Sequence, residues 1–168
     1  HRGIEGVVVH LYTTNRTLVE STQTDSDGFY EFDELAPGTY GIVEVQPSGY
    51  FDGGDDLGRV DGELNGVVRA NDRFNGIRLS SGQSGTMYNF CEQLPAEICG
   101  TVWHDANNNG LHELAESGIS SVLVQLFNAQ GTQVAQQLTD EQGNYCFAGL
   151  EAGEYSVSEI QPAGFIDG

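Results

Sequence analysis

The densest chemistry in the chain lies in twelve residues, Asp105-Ala106-Asn107-Asn108-Asn109-Gly110-Leu111-His112-Glu113-Leu114-Ala115-Glu116. Side-chain oxygens stand at loop positions 1, 3 and 5 (Asp105, Asn107, Asn109), and glycine at position 6 (Gly110). A backbone carbonyl falls at 7 (Leu111), Glu113 at 9 and Glu116 at 12. An all-oxygen donor set suits a hard dication, and this spacing predicts calcium. Gly110 permits the turn that wraps the loop, and Glu116 can close the shell with both carboxylate oxygens. Two asparagines lower the ligand charge relative to an all-aspartate loop, which predicts an affinity suited to extracellular calcium. The competing reading is a polar Asn/Gly loop that only turns the chain.

An EF-hand would need helices on both sides of such a loop. Here Ile98–Trp103 reads as a strand and Gly118-Ile119 as the opening of another, so the expectation is EF-hand-like ligation on a β scaffold. Asp25 and Asp140 sit in Asp-x-x-Gly turns; each is read either as a carboxylate capping its own turn or as an added calcium ligand, and Asp140 is carried into the expected ligand set. Asp52, Asp55, Asp56, Asp61, Glu63 and Asp72 crowd a Gly-rich connection, where a solvated acidic loop and a second cation site are both open readings.

Three cysteines, Cys91, Cys99 and Cys146, contain no C-x-x-C and so suggest neither zinc nor dithiol redox work. Cys99 with Cys146, Cys99 with Cys91, or three buried thiols all fit the spacing. His1, His10, His104 and His112 have no serine elbow and no Cys-His-Asn order near them, so no nucleophilic or acid–base catalysis is expected and the protein is read as non-enzymatic. Asn15-Arg16-Thr17 is a glycosylation sequon by pattern alone.

The elements that must position these residues are visible as a duplication. Residues 1–53 align without gaps with residues 116–168 at an offset of 115, with 21 identities in 53 positions. Val7, Val9, Leu11 and Val122, Val124, Leu126 alternate with period two, as half-buried strands do. Each is followed by an Asp-x-x-Gly turn and by aromatics two apart, Tyr30/Phe32 and Tyr145/Phe147, which predicts a hairpin with both rings on one face. Residues 54–95 occur once; they predict a loop over 54–72, a short strand near Ile77–Leu79, a Ser/Gly turn at 80–85 and a strand over Met87–Cys91. Many short strands between glycine turns, with no helical stripe, imply an all-β protein of tandem sandwich modules.

Composition narrows the function. The 168 residues carry a formal charge of −19, so nucleic acid and anionic membranes are excluded as partners. All six cations are arginines, which leaves no lysine for a Schiff base, a phosphate loop or an isopeptide cross-link. No apolar run is long enough to cross a membrane as a helix, so no membrane insertion is expected. Glycine, 23 of 168, exceeds ordinary usage without a G-X-Y period, which excludes collagen.

The ordered motifs Cys99-Gly100-Thr101-Val102-Trp103, Asn107-Asn108-Asn109-Gly110, Glu116-Ser117-Gly118-Ile119, Thr139-Asp140 to Phe147, Leu150 to Tyr155 and Glu159 to Phe165 resemble the B-domain repeats of serine-aspartate-repeat bacterial adhesins, which are Cna-B-like or prealbumin-like sandwiches. The resemblance implies two Ig-like/prealbumin-like modules. Residues 1–95 are expected to lack a first strand and calcium loop, and residues 96–168 to carry the loop and stop before their last strands. In the first repeat the closing position of a calcium loop would be His1. The expected function is a calcium-stiffened spacer in an extracellular stalk or fibre, partnered by neighbouring repeats or copies of itself through strand complementation. The alternative is an adhesion module, for which Tyr50, Phe51 and Phe74 are the loop-flanking aromatic candidates.

Overall fold

The computed structural model describes residues 3–166. The position expected to close a first-repeat calcium loop, His1, lies outside the described residues. The chain forms two compact units, His1–Leu94 and Pro95–Gly168. Among the described residues every regular element is a strand.

Unit 1 contains β1 (Val8–Thr13), β2 (Leu18–Gln23), β3 (Gly38–Glu44), β4 (Phe51–Asp52), β5 (Arg59–Val60), β6 (Glu63–Leu64), β7 (Val67–Ala70), β8 (Arg73–Leu79), β9 (Gly85–Thr86) and β10 (Glu92–Gln93). Its main sheet has the order β2-β1-β3-β8-β7, all antiparallel. Period-two alternation places Val9 and Leu11 of β1, and Tyr40, Ile42 and Glu44 of β3, on the buried side. In β8 the buried residues are Phe74 and Ile77, which strict alternation would set on opposite faces. The register slips by one between the pairs Tyr40↔Ile77 and Ile42↔Phe74, and Gly76 takes φ 71°; this bulge turns both side chains into the core. Tyr88 and Phe90 cover them, with Phe74 and Phe90 ring centroids 4.7 Å apart.

Unit 2 contains β11 (Ala96–Thr101), β12 (Leu123–Asn128), β13 (Gln133–Leu138), β14 (Asn144–Leu150) and β15 (Tyr155–Glu159). Two sheets, β13-β12-β15 and β11-β14, enclose Val124, Leu126 and Phe147, with Ile98, Val102 and Tyr145 packed around them.

The duplicated polar positions are explained by repeated hydrogen bonds. Thr24 Oγ accepts from the Val7 amide at 2.9 Å and donates to the Ile4 carbonyl at 2.6 Å; Thr139 does the same with Val122 at 3.0 Å and Ile119 at 2.7 Å. Gly3 and Gly118 are glycines because a Cβ there would strike the backbone of the following Asp-x-x-Gly turn, at Asp27 and Gln142.

Four sequence expectations are corrected, the first being the loop over 54–72, which holds β5, β6 and β7. Gly3-Ile4 and Gly118-Ile119 do not open strands; they are loop residues locked to that turn, and pairing starts at Val8 and Leu123. The short strand near Ile77 begins earlier, at Arg73. Met87–Cys91 is not a strand: Met87 has φ 61°, which breaks the extended run, and only an isolated bridge from Asn89 to Asp56 remains.

Unit 1 and unit 2 differ where they were expected to match. Asn144–Leu150 is a strand because β11 pairs with it, whereas the equivalent residues 29–35 have no strand partner among the described residues. Tyr30 and Phe32 still share the core side, their rings 5.9 Å apart, as Tyr145 and Phe147 do at 5.8 Å.

Candidate metal centre

The loop 105–116 follows β11 and is tied down on both sides by β-type hydrogen bonds. Trp103 bridges Gly118, and the His104 amide donates to the Ser117 carbonyl at 3.0 Å. β11 therefore precedes the loop, and a single isolated bridge rather than a second strand follows it. Asn108 (φ 59°) and Gly110 (φ 72°) adopt the left-handed conformation that coils the backbone around Asp105.

Both carboxylate oxygens of Asp105 accept loop amides, from Asn109 at 3.2 Å and Gly110 at 2.7 Å. Glu116 accepts from the Ala106 amide at 3.0 Å and the Glu113 amide at 3.2 Å. Asn109 Oδ1 accepts from Leu111 at 2.7 Å, and Asn107 Nδ2 donates to Glu113 at 2.6 Å. These bonds form two sets, one linking Asp105, Asn109, Gly110 and Leu111 and the other linking Glu116, Ala106, Glu113 and Asn107. A carboxylate has about four lone-pair sites, so Asp105 and Glu116 retain capacity for a cation after these bonds. Hydrogen bonding to the Gly110 amide, ahead of the other loop amides, holds the Asp105 carboxyl below the usual aspartate range, so it is ionised at neutral pH.

Asp140 is placed differently. Its Oδ1 accepts from the Gln142 amide at 2.9 Å and the Asn144 amide at 2.8 Å, and its Oδ2 from Asn144 Nδ2 at 3.3 Å, all within its own turn. The Asn144 amide bond, first among these, lowers its pKa. Asp25 makes the same turn bonds with Asp27 and Phe29, each 2.9 Å. Of the two readings of Asp140, these bonds are those of the turn cap.

The remaining candidates sort plainly. Cys99 and Cys146 face each other across β11 and β14 and form a disulfide, and Cys91 is free and exposed. All three are exposed, so the buried-thiol alternative fails. The ring of His112 stacks on Trp103 at 5.1 Å, His104 meets the Phe165 edge at 5.5 Å, and His10 Nδ1 lies 2.7 Å from Ser21 Oγ. Phe74 is fully buried, and Tyr50 and Phe51 are half-buried, so none offers an exposed aromatic contact surface.

The crowded acidic connection of unit 1 resolves into a second cluster that sequence reasoning located only in part. Asp52, Asp55 and Asp72 come together, and Glu44 and Glu92, from outside the connection, join Asp72. Glu44 carries a signal in hindsight: it occupies the buried phase of β3, two residues after Ile42, where an acid is unexpected. Burial, then the neighbouring Glu92 and Asp72 carboxylates, pushes its pKa up to about 8. Burial and Asp52 raise Asp72 to about 6.

Two all-β units built on duplicated motifs, the second carrying an oxygen-rich loop, define a tandem-repeat β-sandwich module. The model of the SdrD B-like domain matches residues 1–90 and again 96–167, and the chain belongs to that family. It is similar to serine-aspartate repeat-containing protein D of Staphylococcus aureus (strain Newman), 34% identical over 169 residues, covering 97% of this chain and 12% of the relative. Serine-aspartate repeat-containing protein F of Staphylococcus epidermidis is also 34% identical, over 168 residues, covering 98% of this chain and 9% of the relative. Among solved structures, the Bacillus anthracis TIE protein overlaps 97% of this chain and 26% of its own at 20% identity, with a TM-score of 0.39. The chain therefore spans about a tenth of the length of the curated relatives it matches.

Proposed function

We propose that the chain is a calcium-stabilised spacer segment of an extracellular stalk or fibre, with loop 105–116 as its calcium ligand set. The observation that carries this reading is the loop's ordered side chains, with Asp105 and Asn109 accepting loop amides at its start and Glu116 accepting the Ala106 and Glu113 amides at its end, anchored by β-bridging at Trp103 and Gly118. Asp105, Asn107 and Asn109 would supply side-chain oxygens, Leu111 its carbonyl, and Glu116 the closing carboxylate. A cation shared by these groups would bind the start and end of the loop to each other and stiffen the passage from β11 to β12.

Trp103, the only tryptophan, reports the melting of unit 2 by fluorescence. If calcium is present at 100 times its dissociation constant, the folded state gains about 2.7 kcal/mol. For a unit of this size that is a rise of roughly 10–20 °C over chelated protein. The rise disappears in Glu116→Gln. An unchanged Trp103 melt in calcium and in chelator refutes the proposal.

Strand complementation has its own support in unit 1. Among the described residues, 29–35 have no partner of the kind β11 gives to β14, and a groove lined by Phe29, Phe32, Leu35 and Met87 runs beside them. Its occupant is a strand of the β11 type, from a continuing chain or a neighbouring copy. Adding a synthetic peptide with the sequence 96–103 protects amides 29–35 from hydrogen exchange if this is so; unaltered exchange at saturating peptide refutes it.

A further inference from the structure

All six arginines belong to unit 1, and residues 95–168 contain neither arginine nor lysine. Three of the six, Arg16 in the β1–β2 turn, Arg69 in β7 and Arg73 at the start of β8, line one hollow of about 440 Å³ on the outer face of the main sheet. Alternation along β8 sets Arg73 on the side away from buried Phe74 and the core. The chain holds 25 acids, yet no carboxylate lines this hollow, and among the described residues none comes within ion-pair distance of Arg16, Arg69 or Arg73. Arg59, by contrast, finds a protein acceptor in the Gly62 carbonyl at 2.9 Å.

Like charges gathered in one hollow repel one another. Two further features of unit 1 build the hollow against a local cost. Arg16 adopts φ 61°, a left-handed conformation, where the equivalent turn of unit 2 has Gly131 at φ 74°. A side chain is disfavoured in that conformation and glycine is not, so the unit 1 turn gives up its easiest residue to place a guanidinium. Position 41 shows the opposite exchange. Gly41 pairs with Tyr12 across β1 and β3, and a Cβ on it would lie 2.8 Å from Asn75 Oδ1. The missing side chain makes room for the Asn75 amide and leaves nothing at position 41 to cover the Tyr12 ring. Unit 2 has Ser156 at the equivalent position.

We infer that this hollow binds a short acidic sugar, its carboxylate or sulfate held by Arg16, Arg69 and Arg73 and its ring seated on Tyr12 beside Asn75. A guanidinium fork matches the two oxygens of a carboxylate, and equally two oxygens of a sulfate. The hollow has the volume of a small-ligand pocket, and its lining combines aromatic surface with a few polar groups, as such pockets do. An acidic peptide fits less well. β1, β3 and β8, which underlie the hollow, are each paired on both edges, so an extended chain laid here gains no main-chain hydrogen bonds. The formal charge of −19 repels long polyanions. At physiological salt that field fades over about 8 Å, and a ligand seated wholly within the hollow responds to the arginines. The site is independent of loop 105–116 and gives unit 1 a recognition role beside the spacer role.

The test is a nuclear magnetic resonance titration of the whole chain at fixed calcium with four probes: a uronate disaccharide, the same disaccharide sulfated, a neutral disaccharide and a diglutamate peptide. At least one acidic disaccharide is expected to shift the Tyr12, Gly41 and Asn75 amides saturably, the tighter of the two identifying the anion, while the neutral disaccharide leaves them unmoved. Arg69→Gln/Arg73→Gln weakens binding roughly ten-fold or more. Arg16→Gly installs the glycine that unit 2 uses in the same turn and so keeps the fold; it weakens binding roughly three-fold or more. No saturable shift with either acidic disaccharide overturns the site, as does unchanged affinity in Arg16→Gly or in the double variant. Diglutamate binding as tight as that of the sugars overturns the assignment to a sugar. Failure of the loop 105–116 proposal is read separately, from Trp103.

Discussion

Replacing both Cys99 and Cys146 by serine will test how unit 2 is held together. The two sit opposite each other on β11 and β14, on the solvent side of the pair, while their neighbours Ile98 and Phe147 pack on the core side. Removing the bridge therefore takes away little packing, and the effect isolates the constraint on the unfolded chain. The bridge spans a sequence separation of 47 residues. The loop-closure relation then gives an entropy loss near 14 cal/mol/K in the unfolded state, or about 4 kcal/mol at 25 °C. A unit of Pro95–Gly168 has a total stability of about 4–11 kcal/mol at typical values per residue. The bridge thus accounts for a third or more of what keeps unit 2 folded.

In melting temperature the loss is roughly 15–30 °C. Trp103 fluorescence, followed with and without a phosphine reductant and in the serine variant, reads it directly. Calcium must be held fixed, because a bound ligand shifts the same transition by mass action. Unit 1, whose Cys91 is free, serves as the internal control in calorimetry. Coincident Trp103 melts for oxidised, reduced and serine-substituted protein would refute the reasoning, as would alkylation of three thiols in native material.

In chelator, unit 1 responds to pH with an unusual sign. The folded pKa of Glu44, about 8, lies above its unfolded value, so the folded state binds the proton more tightly. Its stabilising contribution is complete below the unfolded pKa and is lost as pH rises through about 8; Asp72 acts likewise through about 6. The unit 1 melting temperature therefore climbs on going from pH 9 to pH 5.5, and a fall over that range contradicts the buried cluster. In unit 2, Thr139→Val leaves the Val122 amide and Ile119 carbonyl without their partner at a site 5% exposed. Urea denaturation read at Trp103 is expected to show a loss of about 2 kcal/mol, and a loss under about 0.5 kcal/mol rejects the assigned role.

The duplication, the β class and loop 105–116 were all legible in the residue order, because each depends on near neighbours in the chain. Alternation of Val9 with Leu11 and of Val124 with Leu126 reports one buried face locally, and a twelve-residue ligand loop brings its own donors together. Pairing across the sheet was not legible. Cys146 could be matched to Cys99 only once β11 lay beside β14, and residues 29–35 read as a strand until the absence of a partner among the described residues left them unpaired.

The acidic cluster of unit 1 marks the same boundary most sharply. The run of acids from Asp52 to Asp72 is visible in sequence, yet Glu44 and Glu92 bracket it from outside, 48 positions apart; the buried phase of Glu44 could be read from Ile42, but not its meeting with Glu92. They meet because β3 ends in its buried phase and β10 folds back onto β4. Local patterning thus determined the β class, the duplicated strand pairs and the place of the oxygen-rich loop 105–116. Long-range strand register, whose energy depends on contacts that no short window contains, decided which cysteines bond and which carboxylates are forced to share a buried space.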